Sequence, residues 1–142
     1  MSKSHKIAIL GTGFISDFYT STLHSQRAFD RVHTVYSRSI DKGNKFKEKW
    51  KIANSTDNMI SAIQDDDIDT VIIGLPNHLH KDAVLAAAEA KKSILCTKPL
   101  GRTADEAMHM LNAVEKHGVF HGYLEDLVYP PKTLKAIQSV KN

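Results

Sequence analysis

A short apolar run that passes straight into a glycine turn constrains this chain most: Lys6-Ile7-Ala8-Ile9-Leu10-Gly11-Thr12-Gly13-Phe14-Ile15-Ser16. Ile7 to Leu10 are nearly all bulky and apolar, as expected of a strand covered on both faces of a parallel sheet. Gly11 and Gly13 then allow a tight reversal. Without Cβ atoms they also let a pyrophosphate approach the backbone, where the free N–H groups and dipole of the following helix attract anions. The third position of the Gly-x-Gly-x-x-Gly pattern is Ser16, which is still small enough for close helix–strand packing. A Gly-x-Gly after a strand also fits an ordinary tight turn. The rest of the chain has to separate the two.

The 142 residues, 42% hydrophobic and 25% charged, suit one domain with a normal core. A net charge of +3 is too small to argue for nucleic acid, and no apolar run is long enough to span a membrane. The lone Cys96 makes no internal disulfide, and Ile7 to Leu10 is too short for a signal peptide. A cytoplasmic protein is expected.

After the turn, Phe14, Ile15, Phe18, Thr22 and Leu23 recur at helical spacing and predict a helix with that face on the sheet. Arg31 to Tyr36 reads as the second strand. Ser37-Arg38-Ser39 follows, where a dinucleotide fold usually carries an acidic residue for the ribose hydroxyls. A guanidinium between two hydroxyls suits a 2′-phosphate instead, so NADP is expected in preference to NAD, with Lys42 near enough to assist. Ser39 also reads as a helix cap. The helix from Ile40 to Lys51 has Phe46 and Trp50 on its inner face and lysines around it, a solvated surface.

A short third strand is expected at Ile52 to Ser55, then a small helix capped by Thr56 or Asp57 and running through Ile63. Asp65-Asp66-Asp67 reads as a solvated turn, since cation loops space their ligands to converge. Asp69 to Gly74 is the fourth strand. Leu75-Pro76-Asn77-His78-Leu79-His80 interrupts it at the carboxyl end, where ligand crevices form in open α/β sheets. His78 and His80 make a poor zinc pattern, and hydrogen bonding is the expected role. Lys81 to Ala90 is an alanine-rich helix. Ser93 to Thr97 is the fifth strand, which delivers Lys98-Pro99 into the same crevice with Lys98 as a positioned amine. Thr103-Ala104-Asp105-Glu106 is a capping box for a helix that stops at Gly118. Val119 to Tyr123 is the sixth strand, and Pro131 opens a last helix. The pattern predicts a Rossmann-type doubly wound α/β fold of strand order 3-2-1-4-5-6.

The glycine turn, Ser37-Arg38-Ser39, Leu75 to His80 and Cys96-Thr97-Lys98-Pro99-Leu100, in this order and spacing, resemble the N-terminal half of the glucose–fructose oxidoreductase/inositol dehydrogenase/rhizopine-catabolism family. The likeness runs over essentially the whole chain. It implies that Gly11, Gly13, Phe14 and Ile15 lie along the pyrophosphate and Ser37 and Arg38 at the adenosine ribose. It further implies that Leu75, Pro76, Asn77 and His80 flank the nicotinamide side with Thr97, Lys98 and Pro99. Lys98 matches the lysine of the family's Glu-Lys-Pro motif, beside the nicotinamide and substrate, while Thr97 stands where the family has Glu. Tyr123-Leu124-Glu125-Asp126-Leu127 lacks an Arg that many members carry at the domain junction.

The resemblance thus implies a cofactor domain at residues 1–123 and, at residues 124–142, the start of the connection to a substrate domain beyond this chain. The expected activity of the complete protein is NAD(P)-dependent oxidation or reduction of a sugar, cyclitol or related hydroxy compound, with Lys98 catalytic and these 142 residues inactive alone. No metal, nucleic acid or membrane partner is expected. A homo-oligomer stays open for the full-length protein. The alternative is a dinucleotide-binding regulatory or scaffold protein without catalysis.

Overall fold

The computed structural model describes residues 4–27, 29–125, 127 and 130–141. The elements run β1 (Lys6–Leu10), α1 (Phe14–Gln26), β2 (Arg31–Tyr36), α2 (Ile40–Trp50), β3 (Asn54–Thr56), α3 (Met59–Gln64) and β4 (Thr70–Ile73). A short 3-10 turn at Asn77–Leu79 leads into α4 (His80–Glu89), followed by β5 (Ser93–Thr97), α5 (Ala104–His117), β6 (His121–Leu124) and α6 (Pro131–Lys141). The six strands form one sheet in the order β3-β2-β1-β4-β5-β6, every neighbouring pair parallel. This is the predicted doubly wound fold.

Strand residues alternate between two cores, as the period of two requires, except that a register shift opposite Ile7 and Ala8 inserts His33 and leaves Val32 and Val35 on one face. Ala8, Leu10, Val71, Ile73, Ile94 and Cys96 pack under α3, α4 and α5 with Ile63, Val84 and Met110. Ile7, Ile9, Val32, Val35 and Ile72 face the other way, against Phe46 of α2 and the partly buried Tyr19 and Leu23 of α1. Both faces of β1 are therefore covered, which explains its unbroken apolar run. The order of connection reverses between β1 and β4, so a crevice opens at the carboxyl ends of these strands.

Helix α1 corrects one expectation. Phe14 and Phe18 are 84% and 52% exposed, while Ser16 and Thr20 are fully buried. The reason is distance: α1 crosses the sheet so closely at Gly74 that a Cβ there would collide with Ser16 Oγ. A face that near the backbone accepts small residues, and the phenylalanines are left outside. Helix α1 is joined to α2 through Asp17, whose Oδ1 accepts from Trp50 Nε1 at 2.8 Å and Lys49 Nζ at 2.6 Å. The Lys49 ammonium holds the Asp17 carboxyl below the usual carboxylate range.

Several boundaries also shift, among them the sixth strand, which runs His121–Leu124 instead of Val119 to Tyr123. Strand β3 begins at Asn54, after Lys51 closes α2 in the left-handed conformation and Ile52 is drawn into the core. Asn58, not Thr56 or Asp57, caps α3, accepting from Ser61 N at 3.0 Å. Helix α4 begins at His80, one residue before the expected start. In the aspartate run, Asp67 pairs with Lys6 at 3.0 Å and Asp65 accepts from Asp67 N, so two of the three serve the turn. Of the sequence singled out at the domain junction, Asp126 lies outside the described residues.

Candidate functional site

The glycine turn is fixed on both sides by the sheet. Gly11 N donates to Tyr36 O at 2.8 Å, and Gly74 N donates to Leu10 O at 2.9 Å. Gly11 has φ +107°, and a Cβ there would stand 2.5 Å from Gly74 O, so this glycine is demanded by the fold itself. Gly13 differs. It is the N-cap of α1 at φ −81°, and a Cβ there would meet nothing within 4 Å. No protein atom needs that position bare.

The N-terminus of α1 has no side-chain cap, whereas Ser39, Asn58 and Thr103 cap α2, α3 and α5. A helix opening that leaves its first N–H groups without such a partner is a ready anion site. The open space at Gly13 and the uncapped helix together fit the pyrophosphate of a dinucleotide.

Beside this turn lies a cleft of roughly 220 Å³. Gly11 and Thr12 form its floor, Tyr36, Ser37, Arg38, Ser39 and Lys42 one wall, and Leu75, Pro76, His78 and Leu79 the other. Arg38 and Lys42 bring two cations to it, and no carboxylate is among these lining residues. Ser37 is buried with Oγ 3.4 Å from Thr12 Oγ1, whereas Ser39 Oγ is used in capping, accepting from Lys42 N at 3.5 Å. A second cleft, about 290 Å³, adjoins at Thr12 and Lys42 and is lined by Lys45 and by the Lys49–Asp17 ion pair. Sequence reasoning did not name Thr12, Tyr36 or Leu79 as lining residues, and gave His78 only a hydrogen-bonding role. Thr12 was legible as the middle residue of Gly-x-Gly, but the others are placed by the sheet order alone.

At the other end of the crevice, Pro76, Asn77, Lys98 and Pro99 are all exposed on the loops that follow β4 and β5, and the Lys98–Pro99 peptide is cis. Phe14 begins α1 exposed, and Ile15 packs beneath Gly74. Two expected contact residues are corrected. His80 is fully buried, with Nδ1 2.8 Å from Pro99 O and Nε2 2.8 Å from Leu75 O, so neither nitrogen is left to meet a cofactor. Thr97 is also buried and donates from Oγ1 to Ile73 O at 2.8 Å, joining the ends of β4 and β5. Both residues sit behind the crevice wall. Cys96, next to His80, has its thiol pushed up to about 12 by burial and is no nucleophile.

The family model described as an oxidoreductase family with an NAD-binding Rossmann fold (GFO_IDH_MocA) matches residues 5–123. Levoglucosan dehydrogenase of Pseudarthrobacter phenanthrenivorans is 48% identical over 73 residues, 51% of this chain and 19% of that protein. The scyllo-inositol 2-dehydrogenase (NADP(+)) of Bacillus subtilis is 30% identical over 114 residues, 80% of this chain and 34% of that protein. Among solved structures, levoglucosan dehydrogenase in complex with NADH and levoglucosan superposes with a TM-score of 0.88 at 26% identity, over 98% of this chain and 39% of that one. A Lactobacillus casei scyllo-inositol dehydrogenase with bound NAD(H) and scyllo-inositol gives a TM-score of 0.89 at 19% identity, over 98% and 41%, a likeness of fold alone. The chain spans between 19% and 35% of the length of the curated relatives it matches.

Proposed function

This chain belongs to the GFO_IDH_MocA oxidoreductase family, with its NAD-binding Rossmann fold, and from that premise we propose that it is the cofactor-binding part of an NAD(P)-dependent dehydrogenase. The proposed substrate of the whole enzyme is a sugar, cyclitol or related hydroxy compound, a class supported by the relatives named for levoglucosan and scyllo-inositol. The observation that carries this reading is Gly13: a glycine that no protein atom requires, at the uncapped opening of α1.

The proposed cofactor is NADP in preference to NAD. Arg38 and Lys42 line the cleft without a carboxylate to pair a ribose diol, which favours a 2′-phosphate. Bound nicotinamide supplies the hydride acceptor or donor. Lys98 then serves at the reacting hydroxyl, where an ammonium donates hydrogen bonds to a developing alkoxide and exchanges its proton. Pro76 and Asn77 close the opposite side of the crevice. Residues 1–123 are proposed as the cofactor unit, with residues 124–142 leading to a substrate-binding unit, and the proposed setting is the cytoplasm.

Calorimetric titration of this chain with NADPH and NADH, repeated on Arg38→Ala, tests the cofactor site. Tighter NADPH binding that falls to the NADH level in the variant supports it; binding of neither removes it. In the full-length enzyme, Lys98→Met should lower turnover far more than cofactor affinity. Full-length protein that binds NADPH yet turns over no sugar or cyclitol would be a dinucleotide-binding regulator instead.

A further inference from the structure

The crevice depends on two loops from different strands, and one buried side chain touches both. Leu75 follows β4 and Pro99 follows β5, and His80, at the start of α4, reaches the carbonyl oxygen of each at 2.8 Å. Two carbonyl oxygens offer lone pairs only. A ring nitrogen that carries a proton donates to the carbonyl it faces, so in either tautomer the ring is held between the two loops. His80 has no exposed surface, so water cannot substitute for a lost partner.

The next nearest polar group is Cys96 Sγ, 3.6 Å from Nδ1, a thiol that retains its proton and adds no charge. Thr97 Oγ1 already fixes the strand ends through Ile73 O, so His80 acts one step further out, where the loops leave the sheet. Pro99 has no N–H with which to anchor itself. Its carbonyl is the available handle, and Lys98, whose side chain is exposed at the crevice, immediately precedes it.

We propose that His80, in contact with both carbonyl oxygens, is a positioning residue that sets the spacing between the Leu75 and Pro99 loops and so aims Lys98 and Asn77 at the nicotinamide end of the bound cofactor. The placement of that end rests on the function proposed above. The clamp itself does not.

Two measurements on this chain separate them. A ¹H–¹⁵N spectrum of the imidazoles, with His80 assigned by its absence from His80→Gln, should show a His80 ring N–H protected from solvent exchange by its carbonyl partner; a freely exchanging ring overturns the clamp. The second compares NADPH with 2′-phospho-ADP-ribose, which lacks the nicotinamide. Gln carries both its donors on a single nitrogen and does not reproduce the two separate ring nitrogens, so His80→Gln should weaken NADPH binding by roughly tenfold, about the worth of one hydrogen bond. Affinity for 2′-phospho-ADP-ribose should stay at the wild-type level. Equal loss for both ligands, or no loss, overturns the positioning role, since general destabilisation would not distinguish them. If wild-type protein binds neither ligand, the function proposed above fails, and with it the aim at nicotinamide. If His80→Gln does not fold, the wild-type spectrum decides the clamp, with assignment by selective labelling.

Discussion

A methyl group added at Gly11 and one added at Gly13 should have opposite consequences, although the two glycines belong to one motif. Gly11→Ala forces a Cβ against Gly74 O at a positive φ, and should lower stability by about 2 kcal/mol or more. Gly13→Ala places its methyl in open space, so stability should fall by no more than about 1 kcal/mol, the cost of Ala at an N-cap, while NADPH binding is lost. Thermal melts and titrations of both variants check this, and a reversed pattern would move the ligand requirement to Gly11. Ser16 carries a different expectation. Its hydroxyl is fully buried without a hydrogen-bond partner, so Ser16→Ala should raise stability by up to about 1 kcal/mol in the same melts. The spacing of Phe14 and Phe18 gave no hint of this, because helical periodicity identifies an apolar face but not how near the helix lies to the sheet.

Among the elements, α5 was the easiest to read. Thr103 and Gly118 cap it as expected, Thr103 Oγ1 accepting from Glu106 N at 3.2 Å and Gly118 closing it at φ +63°. The capping box is modified, since the Glu106 carboxylate reaches back to Arg102 N at 2.9 Å and pairs with the Arg102 guanidinium. These bonds hold the Glu106 carboxyl at about 2, well below its ordinary 4.5. A depressed carboxyl stabilises the fold above its unfolded value and loses that effect as pH falls through its folded value. The difference in melting temperature between wild type and Glu106→Gln should therefore be full at pH 7 and vanish between about pH 4.5 and 2. Added salt should shrink it at pH 7, because the pair is solvent-accessible. By contrast, α4 begins at His80, one residue before its expected start. His78 and His80 look alike in sequence, yet one lines the cleft and the other is sealed behind it.

For the molecule as a whole, cofactor binding and folding should be linked. NADPH at a hundred times its Kd should add about 2.7 kcal/mol to stability, read as a rise of several degrees in the melting midpoint, and Gly13→Ala should abolish that rise. A midpoint that ignores NADPH in wild-type protein would refute the site. The strand order and the location of the crevice were set by the sequence alone. Alternating apolar segments, a glycine turn and short connections permit few right-handed parallel arrangements, and the reversal between β1 and β4 follows from them. Only the tertiary structure decided which side chains face that crevice. Local spacing specifies conformation along the chain, whereas the burial of Ser16, Thr97 and His80 depends on how closely α1, β4, β5 and α4 approach one another, distances fixed by packing between segments far apart in sequence.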